Sequence, residues 1–491
     1  MKTMKCLIAA FICFFMVSAC SNNAPPDKPK EVEEQMEQST DKAANQEERG
    51  GEQPAVPQSN ERRAMKVSQV QIPEWSKNAV IYEVNVRQYT EEGTFQAFAE
   101  HLPRLKELGV DVLWFMPIHP ISEKNRNGTL GSYYAIQDYK AVNPEYGTAE
   151  DFKALVDQAH EMGFKVLLDW VANHTGWDHV WTEEASWYTT DSEGQIVHPP
   201  GTNWLDVADL NFDNEEMKAA MIDAMKYWVS KYDIDGFRAD YANGVPVPFW
   251  EEARKQLEQI KPVYMLAEDD KVLELLDQSF NANYGWELYH ITNDIAKGEK
   301  DASHVKHHFT RVERLYPEGT YPLNFITNHD ENSWTGTEFE RLGDAVEAMA
   351  VLNFTVPGIP LIYSGQEAGL DKRLEFFEKD NISWDDLSMQ SFYQDLIRLK
   401  KENEALWNGS SGGYIYFLET TDPKLLAFER TKNENTVLVI MNLSAAEIEG
   451  EVSTQSIAGT YRSFTQGEMT AIEERYAVKL GPWEYRIYVS P

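Results

Sequence analysis

Short apolar segments alternate with helical patterns from residue 79 to residue 402, and this alternation restricts the fold more than any other feature of the chain. Eight segments have the length and composition of buried strands: 79–86, 110–116, 164–170, 235–240, 263–267, one that begins near 280, 323–327 and 359–363. Apolar residues at helical spacing follow each of them. A strand, a helix and a further strand form a parallel crossover, so eight such units predict a closed (β/α)8 barrel.

The segments between the strands have the spacing of helices, and the clearest are 94–109, 149–162, 215–232, 248–260, 302–315, 341–355 and 388–402. An open, doubly wound α/β sheet is the competing fold, but no Gly-x-Gly-x-x-Gly motif follows the first strand. We therefore predict a TIM barrel at 73–404, with a short insertion loop at 175–210 after the third strand.

The pattern changes after the barrel. Five short segments with strand-like composition are separated by Gly, Asn and Asp-Pro turns: 414–418, 425–429, 436–441, 459–464 and 485–489. Such spacing predicts a small antiparallel β-sandwich domain at 405–491.

The first 20 residues have the features of an export signal. Two lysines precede an apolar run at 7–17 that is too short to span a bilayer. The run ends in Val-Ser-Ala-Cys, which resembles the lipobox of bacterial lipoproteins and predicts lipidation of Cys20. Ser21 after it favours the outer membrane, on the cell surface or the periplasmic face. An ordinary signal peptide cleaved nearby is the alternative.

Residues 21–72 contain few apolar side chains, so we predict a disordered acidic tether between the lipid anchor and the barrel. All three cysteines lie in the first 20 residues, which predicts a mature fold without disulfides or a thiolate catalyst. The net charge of −35 argues against a nucleic-acid partner and against electrostatic attachment to anionic lipid. A neutral or cationic partner is expected.

Charged side chains recur where the predicted strands end. Arg238 and Asp240 lie two residues apart in the sequence DIDGFRAD, so they share one face of a strand, where the arginine keeps the carboxylate ionised. A buried ion pair that only fixes strand register is the alternative for this pair taken alone. The other strand ends contribute Asp169, Asn173, His174, Glu268, His329 and Asp330.

Three or more carboxylates at one barrel mouth are the equipment of a glycosidase, in which one carboxyl group acts as nucleophile and another as acid. Glu268 follows the apolar run 263–267, and partial desolvation there would raise its pKa toward that of a general acid.

Four stretches resemble, in order and spacing, the signature regions of the α-amylase family of glycoside hydrolases: DWVANH at 169–174, GFRAD at 236–240, Glu268, and FITNHD at 325–330. Supporting stretches are Asp209-Leu-Asn211, Tyr134 before Asp138-Tyr139, and GIPLIYSGQ at 358–366. The resemblance extends from about residue 79 to residue 366, and its specificity lies in the combination.

This resemblance implies hydrolysis of α-glucosidic bonds, mainly α-1,4, with retention of configuration. Asp240 would be the nucleophile, Glu268 the general acid/base and Asp330 the carboxylate that binds sugar hydroxyls and stabilises the transition state. The residues implied to bind the sugar are Tyr134, His174, Arg238 and His329. Taken singly, each histidine is more often a capping or core residue and the tyrosine more often plain packing.

Asn173 and Asp209 match positions that bind structural Ca²⁺ in many relatives, and oxygen ligands suit that ion. The alternative is an Asn and an Asp that hydrogen-bond loop backbone.

The chain also departs from the family pattern. Tyr241 to Gly244 replace a Lys-His pair that shapes the leaving-group side in many endo-acting relatives, and Asp269-Asp270 stand where an aromatic residue is common. Five aromatic residues of the insertion could stack on sugar or cover the barrel rim: Trp177, Trp181, Trp187, Tyr188 and Trp204.

Three functions are compatible with these features. The first is an α-glucan or maltooligosaccharide hydrolase, and the second is a glucosyl or maltosyl transferase that uses the same site. The third is a non-catalytic starch-binding surface protein, which the three retained carboxylates disfavour.

Overall fold

A computed structural model describes residues 67–491 of the chain. Cys20, the export signal and residues 21–66 of the predicted tether lie outside the described residues. Residues 67–72 were predicted as the end of the tether, but they pack against the barrel. Gln71 supplies a carbonyl that accepts hydrogen bonds from Arg254 (3.1 Å) and Asn281 (3.0 Å), and Val67 forms a β-bridge with Glu318. The folded region therefore extends at least to Val67.

Eight parallel strands close into a barrel in which each strand pairs with the next in sequence and the last pairs with the first. The strands are β1 Ile81–Val84, β2 Val112–Phe115, β3 Lys165–Val171, β4 Gly236–Asp240, β5 Tyr264–Ala267, β6 Ala282–Tyr284, β7 Tyr321–Asn324 and β8 Ile359–Tyr363. This confirms the predicted TIM barrel. Val67, Gln71 and their partners lie at the amino-terminal ends of the strands, because Asn281 and Glu318 immediately precede β6 and β7.

The helices of the described residues surround the barrel: α1 Val86–Tyr89, α2 Phe95–Ala99, α3 Leu102–Leu108, α4 Ala149–Glu161, α5 Glu215–Tyr232, α6 Val247–Leu257, α7 Leu275–Gln278, α8 Trp286–Ala296, α9 Ala302–Leu315, α10 Glu338–Leu342, α11 Val346–Thr355 and α12 Gln390–Glu402. Two predicted helices are each divided. The segment 94–109 breaks before α3, where Pro103 occupies the first turn, a position that tolerates the missing N–H. The segment 341–355 breaks at Gly343, which has φ 52°.

Inward-facing side chains change character along the barrel axis. Ile81, Leu167 and Leu266 belong to an apolar cluster in the interior. Two residues further along each strand, the same face carries Glu83, Asp169 and Glu268. The polar groups are thus brought together at the carboxyl ends of the strands, as in other barrels of this type.

Gly236 allows β4 and β5 to approach closely. A Cβ atom at this position would lie 1.8 Å from the carbonyl oxygen of Tyr264, and the residue has φ 153°. Glycine is therefore required at the base of the strand that carries Arg238 and Asp240.

The insertion at 175–210 begins and ends in a two-stranded ribbon formed by His174–Gly176 and Val207–Asp209. Between these strands the chain forms short 3₁₀ turns at Val180–Glu183 and Ala185–Trp187.

The C-terminal domain consists of β9 Tyr414–Phe417, β10 Leu425–Lys432, β11 Asn435–Asn442, β12 Ile448–Ser453, β13 Gly459–Ser463, β14 Met469–Ile472, β15 Arg475–Leu480 and β16 Tyr485–Val489. Six of these strands form one antiparallel sheet in the order β9-β10-β11-β16-β13-β14, and β12 pairs with β15. Leu425, Leu438, Val452 and Leu480 join the two sheets in one apolar cluster, which confirms the sandwich. The sequence did not predict β12, β14 and β15. Charged residues interrupt the apolar patterns of β12 and β15, and β14 has only four residues, of which only Ile472 is buried. Within residues 67–491, no helix has the length and apolar character needed to cross a membrane.

Candidate active site

Arg238 lies at the centre of the barrel mouth and is fully buried. Its Nη1 is 2.9 Å from Asp169 Oδ1 and 2.8 Å from Asp240 Oδ1, and its Nη2 is 2.9 Å from Glu268 Oε1. One guanidinium thus holds three carboxylates, and we call these four residues the Arg238 network. Burial alone would lower the pKa of the guanidinium, but the carboxylates raise it well above its usual value. The arginine therefore stays charged.

Asp169 connects this network to two further predicted site residues. Its Oδ2 accepts hydrogen bonds from Trp114 Nε1 at 3.2 Å and from the hydroxyl of Tyr134 at 3.1 Å. That hydroxyl also lies 2.7 Å from His329 Nε2, and the two rings stack with centroids 5.5 Å apart. Trp114 and Asp169 were not assigned a role from the sequence, although Asp169 stands at a predicted strand end.

Asp330 completes the group of carboxylates. Its Oδ2 lies 3.2 Å from His329 Nε2. About a third of its side chain is exposed, compared with 17% for Glu268 and 13% for Asp240. Asp240, Glu268 and Asp330 are thus the accessible part of an otherwise buried polar cluster. Solvent or a ligand reaches these three carboxylates at the mouth.

Burial raises the pKa of two of these carboxyl groups, Glu268 and Asp330. Burial raises the pKa of Glu268, the nearby Arg238 lowers it, and Asp240 raises it again. Burial likewise raises the pKa of Asp330 to about 7, and His329 lowers it. A raised pKa suits a carboxyl group that must hold a proton near neutral pH.

Tyr241 shapes the side of the site next to Glu268. Its backbone is left-handed, with φ 42°, and its N–H donates to Glu268 Oε2 at 2.8 Å. Its ring meets Trp204 edge to face at 5.2 Å, and Trp204 contacts His174 at 5.6 Å. His174 is thus connected to Tyr241 by the ring of Trp204. Burial lowers the pKa of His174 to about 3.

Glu83 is a site residue that the sequence analysis missed. It lies on β1 with no exposed surface, and its Oε1 is 2.5 Å from His329 Nδ1. A glutamate two residues after Ile81 in a largely apolar strand is a sequence signal for such a residue, but the register of β1 decides that it faces inward.

Comparison with known proteins supports this geometry. A family model for the α-amylase catalytic domain matches residues 56–200 and 201–415, and one for the maltogenic amylase C-terminal domain matches 415–487. The chain belongs to the α-amylase family. It is therefore an α-amylase-family glycoside hydrolase.

Three members of the family illustrate the similarity. α-Amylase MalA of Haloarcula japonica is 29% identical over 419 residues, which cover 79% of this chain and 60% of that protein. An α-1,4-glucan:maltose-1-phosphate maltosyltransferase of Salinibacter ruber is 28% identical over 421 residues, covering 77% and 62%. The structure of the maltogenic α-amylase AmyB of Thermotoga neapolitana has a TM-score of 0.77 and 28% identity, and covers 85% of this chain and 99% of AmyB.

The insertion of this family member uses its aromatic residues in two ways. Trp181 packs against Tyr139 and Trp187 on the barrel rim, with centroids 5.0 and 5.2 Å away. Tyr188 is buried with its hydroxyl 3.0 Å from Thr175. Among these five residues, only Trp204 has a ring that contacts both His174 and Tyr241 in the described part of the chain. Most of these residues therefore cover the rim, and Trp204 borders the site.

Asn173 and Asp209 lie close together, because His174 pairs with Asp209 and the Leu210 N–H donates to the carbonyl of Asn173. The amide Nδ2 of Asn173 lies 3.3 Å from His174 Nδ1. No group of three or more His, Cys, Asp or Glu side chains that could hold a metal occurs in residues 67–491. Calcium usually takes six to eight oxygens, so two side-chain donors fall short of a complete site. No step of the reaction is derived through a metal.

Proposed function

We propose that this protein hydrolyses α-1,4-glucosidic bonds in starch-like glucans or maltooligosaccharides and retains the configuration of the anomeric carbon. The observation that supports this most directly is that Asp240 and Glu268 form ion pairs with two nitrogens of one guanidinium, at 2.8 and 2.9 Å. Two carboxyl groups held this close fit a nucleophile and an acid acting on the same bond, as in a retaining glycosidase.

Asp240 is the proposed nucleophile. Its ionised carboxylate attacks the anomeric carbon while the bond to the leaving oxygen breaks, which gives a covalent glycosyl-enzyme. The 2.8 Å contact with Arg238 holds this carboxylate in place.

Glu268 is the proposed general acid/base. Its proton passes to the leaving oxygen in the first step. In the second step its carboxylate removes a proton from water, the water oxygen bonds to the anomeric carbon, and Asp240 is released. Burial, which raises the pKa of Glu268, supports the first of these roles.

Asp330 and His329 are proposed to bind hydroxyl groups of the reacting sugar, with Tyr134 stacking beneath it and His174 contacting it from the insertion side. The exposed third of Asp330 and its contact with His329 support this assignment. Hydrogen bonds to hydroxyls that strengthen in the transition state lower the barrier.

Transfer of the glycosyl group to a sugar is the second candidate. Trp204 and Tyr241 place two aromatic rings beside the acid/base, where relatives of endo-acting type carry a charged pair. An aromatic surface there favours a sugar acceptor over water.

Product analysis tests these proposals. The purified protein is given soluble starch, pullulan and maltoheptaose in turn, with Asp240→Asn as the blank. Shorter α-configured oligosaccharides from the wild type alone support the retaining hydrolase, and products longer than maltoheptaose support transfer. If both proteins bind a glucan and neither cuts it, the non-catalytic function replaces both.

Calcium at Asn173 and Asp209 stays a proposal. Thermal unfolding of the protein after EDTA treatment, with and without added Ca²⁺, tests it alongside Asn173→Ala. A Ca²⁺-dependent rise in Tm in the wild type alone supports the site, and equal curves contradict it.

We also propose that Cys20 carries a lipid that anchors the exported protein in the outer membrane. Labelling of growing cells with a radioactive fatty acid tests this, because Cys20→Ala should remove the label. A labelled Cys20→Ala variant would contradict the anchor, and fractionation of the membranes tests the location.

A further inference from the structure

Glu83 is a fully buried carboxyl group whose one hydrogen-bond partner in the described part of the chain is a histidine of the site. Its Oε1 contacts His329 Nδ1, and its Oε2 is buried without a partner in residues 67–491. A buried carboxyl group with so little compensation is costly to maintain. Its position therefore calls for an explanation beyond packing.

His329 is held from both sides. Its Nδ1 faces Glu83, whereas its Nε2 lies 2.7 Å from the Tyr134 hydroxyl and 3.2 Å from Asp330 Oδ2. Stacking on Tyr134 fixes the plane of the ring. The orientation of the imidazole ring is thus fixed. Glu83, the group that contacts Nδ1, then determines which of the two ring nitrogens carries a hydrogen.

We propose that Glu83 is a positioning residue that keeps a hydrogen on His329 Nε2, so that this nitrogen donates toward Asp330 and Tyr134. This inference rests on the proposed role of Asp330 in binding the sugar.

The protonation states open to Glu83 and His329 favour a hydrogen on Nε2. Burial raises the pKa of Glu83 to about 8, so near neutral pH its O–H donates to Nδ1 and the neutral ring carries its hydrogen on Nε2. If the proton instead moves to Nδ1, the imidazolium again has a hydrogen on Nε2. Only an ionised Glu83 beside a neutral ring leaves Nε2 bare, and burial disfavours that charge.

The charged and titratable groups that act on this pair are limited. Those acting on His329 are Asp330, Arg238, Glu268 and Asp240, and those near Glu83 are Arg238, Tyr284 and Tyr363. A donor on Nε2 favours the ionised form of Asp330, so its loss would raise the pKa of Asp330 above about 7.

Two substitutions of Glu83 separate this role from packing. Glu83→Gln keeps a donor for Nδ1, so kcat should stay within about threefold of wild type. Glu83→Leu removes the donor and should lower kcat roughly 10-fold to 100-fold, as when the partner behind a functional histidine is lost. Its KM should change less, and the acid limb of its pH profile should move to higher pH.

Glu338 supplies a matched control. It is also buried, burial also raises its pKa to about 8, and its charged neighbours Arg341, Glu367 and Asp371 lie outside the Arg238 network. Glu338→Leu should leave kcat and the pH profile unchanged. An equal loss in Glu338→Leu and Glu83→Leu would overturn the proposal in favour of general destabilisation.

NMR of the protein labelled with ¹⁵N-histidine reads the tautomer directly. We expect a protonated Nε2 on His329 in wild type and Glu83→Gln, and a bare or mixed Nε2 in Glu83→Leu. A bare Nε2 in wild type overturns the proposal, even where Glu83→Leu does not fold. A wild type that cuts no glucan refutes the proposed function separately, because the tautomer is measured without substrate.

Discussion

Arg238 and Arg430 are two of the arginines that are almost completely buried in residues 67–491, and their surroundings differ. Arg238 contacts three carboxylates at the barrel mouth. Arg430, on β10, donates to backbone carbonyls at distances from 3.0 to 3.4 Å: those of Thr355, Val356, Leu406, Trp407 and Gly413. No salt bridge of Arg430 occurs among residues 67–491, and burial lowers its pKa to about 9.

The guanidinium groups of Arg238 and Arg430 have different roles. The carbonyls of Thr355 and Val356 lie at the end of α11, where the helix dipole favours a cation, and the other three acceptors follow α12. This residue therefore joins the C-terminal domain to the barrel. The carboxylates around Arg238 are themselves costly to bury. A cluster of that kind is expected where the reaction needs the charges. Substitution of Arg238 should therefore change mainly kcat, whereas substitution of Arg430 should change mainly stability.

The largest expected effect is at Asp240. Asp240→Asn should lower kcat roughly 10⁴-fold or more, because the amide cannot attack the anomeric carbon. Initial rates on maltoheptaose measure it. Asp270→Asn is the control, since Asp270 lies at the same mouth but pairs with Lys271. Similar losses in both variants would remove Asp240 from its proposed role.

Arg238→Lys should have the next largest effect. A lysine keeps the charge, but one ammonium group cannot reproduce the contacts of a guanidinium with three carboxylates, so we expect kcat to fall roughly 10²-fold to 10³-fold. Rates and Tm are measured together. A variant with nearly normal kcat would show that the network fixes strand register only.

Arg430→Met should change stability and leave the chemistry alone. Its carbonyl partners would lose their donors, so the free energy of unfolding should fall by about 2–4 kcal/mol, while kcat of the folded protein stays the same. Urea unfolding measures the change, with the exposed Arg462→Met as control. A specific loss of kcat in Arg430→Met would contradict the contrast between the two arginines.

The smallest effect concerns Glu338, a buried carboxyl group whose raised pKa Arg341 and Gln366 offset only in part. Burial raises its pKa from 4.5 to about 8, so the folded protein binds more protons than the unfolded chain between these values. Wild-type stability should therefore fall as the pH rises from 5 to 8. Glu338→Gln has no carboxyl group to titrate at this position, so its Tm should match that of wild type at pH 5 and exceed it at pH 8. Parallel Tm curves for the two proteins would refute the assignment.

The sequence predicted the barrel because most of its strands are clear apolar runs. β6 is not such a run, and only the regular alternation of elements predicted a strand near residue 280. Arg238, Asp240, Glu268 and Asp330 were predicted because charge at the end of a buried strand is unusual. Glu83 was missed, since a single glutamate in an otherwise alternating segment looks like an exposed residue. Whether it faces inward depends on its register with Trp114 and Tyr363, which a local pattern does not contain. The division of the segment 94–109 was missed for a related reason, because Pro103 is compatible with both a continued and a restarted helix until the packing is known.

The contacts of Gln71 with Arg254 and Asn281 have a practical consequence. They hold residues 67–71 at the end of the barrel opposite to the carboxylates, so Val67 lies on the far side from the mouth. A bead, sensor surface or fused protein joined directly at Val67 does not obstruct the approach of a long polymer. Immobilisation of a variant that begins at Val67, through its first residue, should therefore preserve access for substrates of any length.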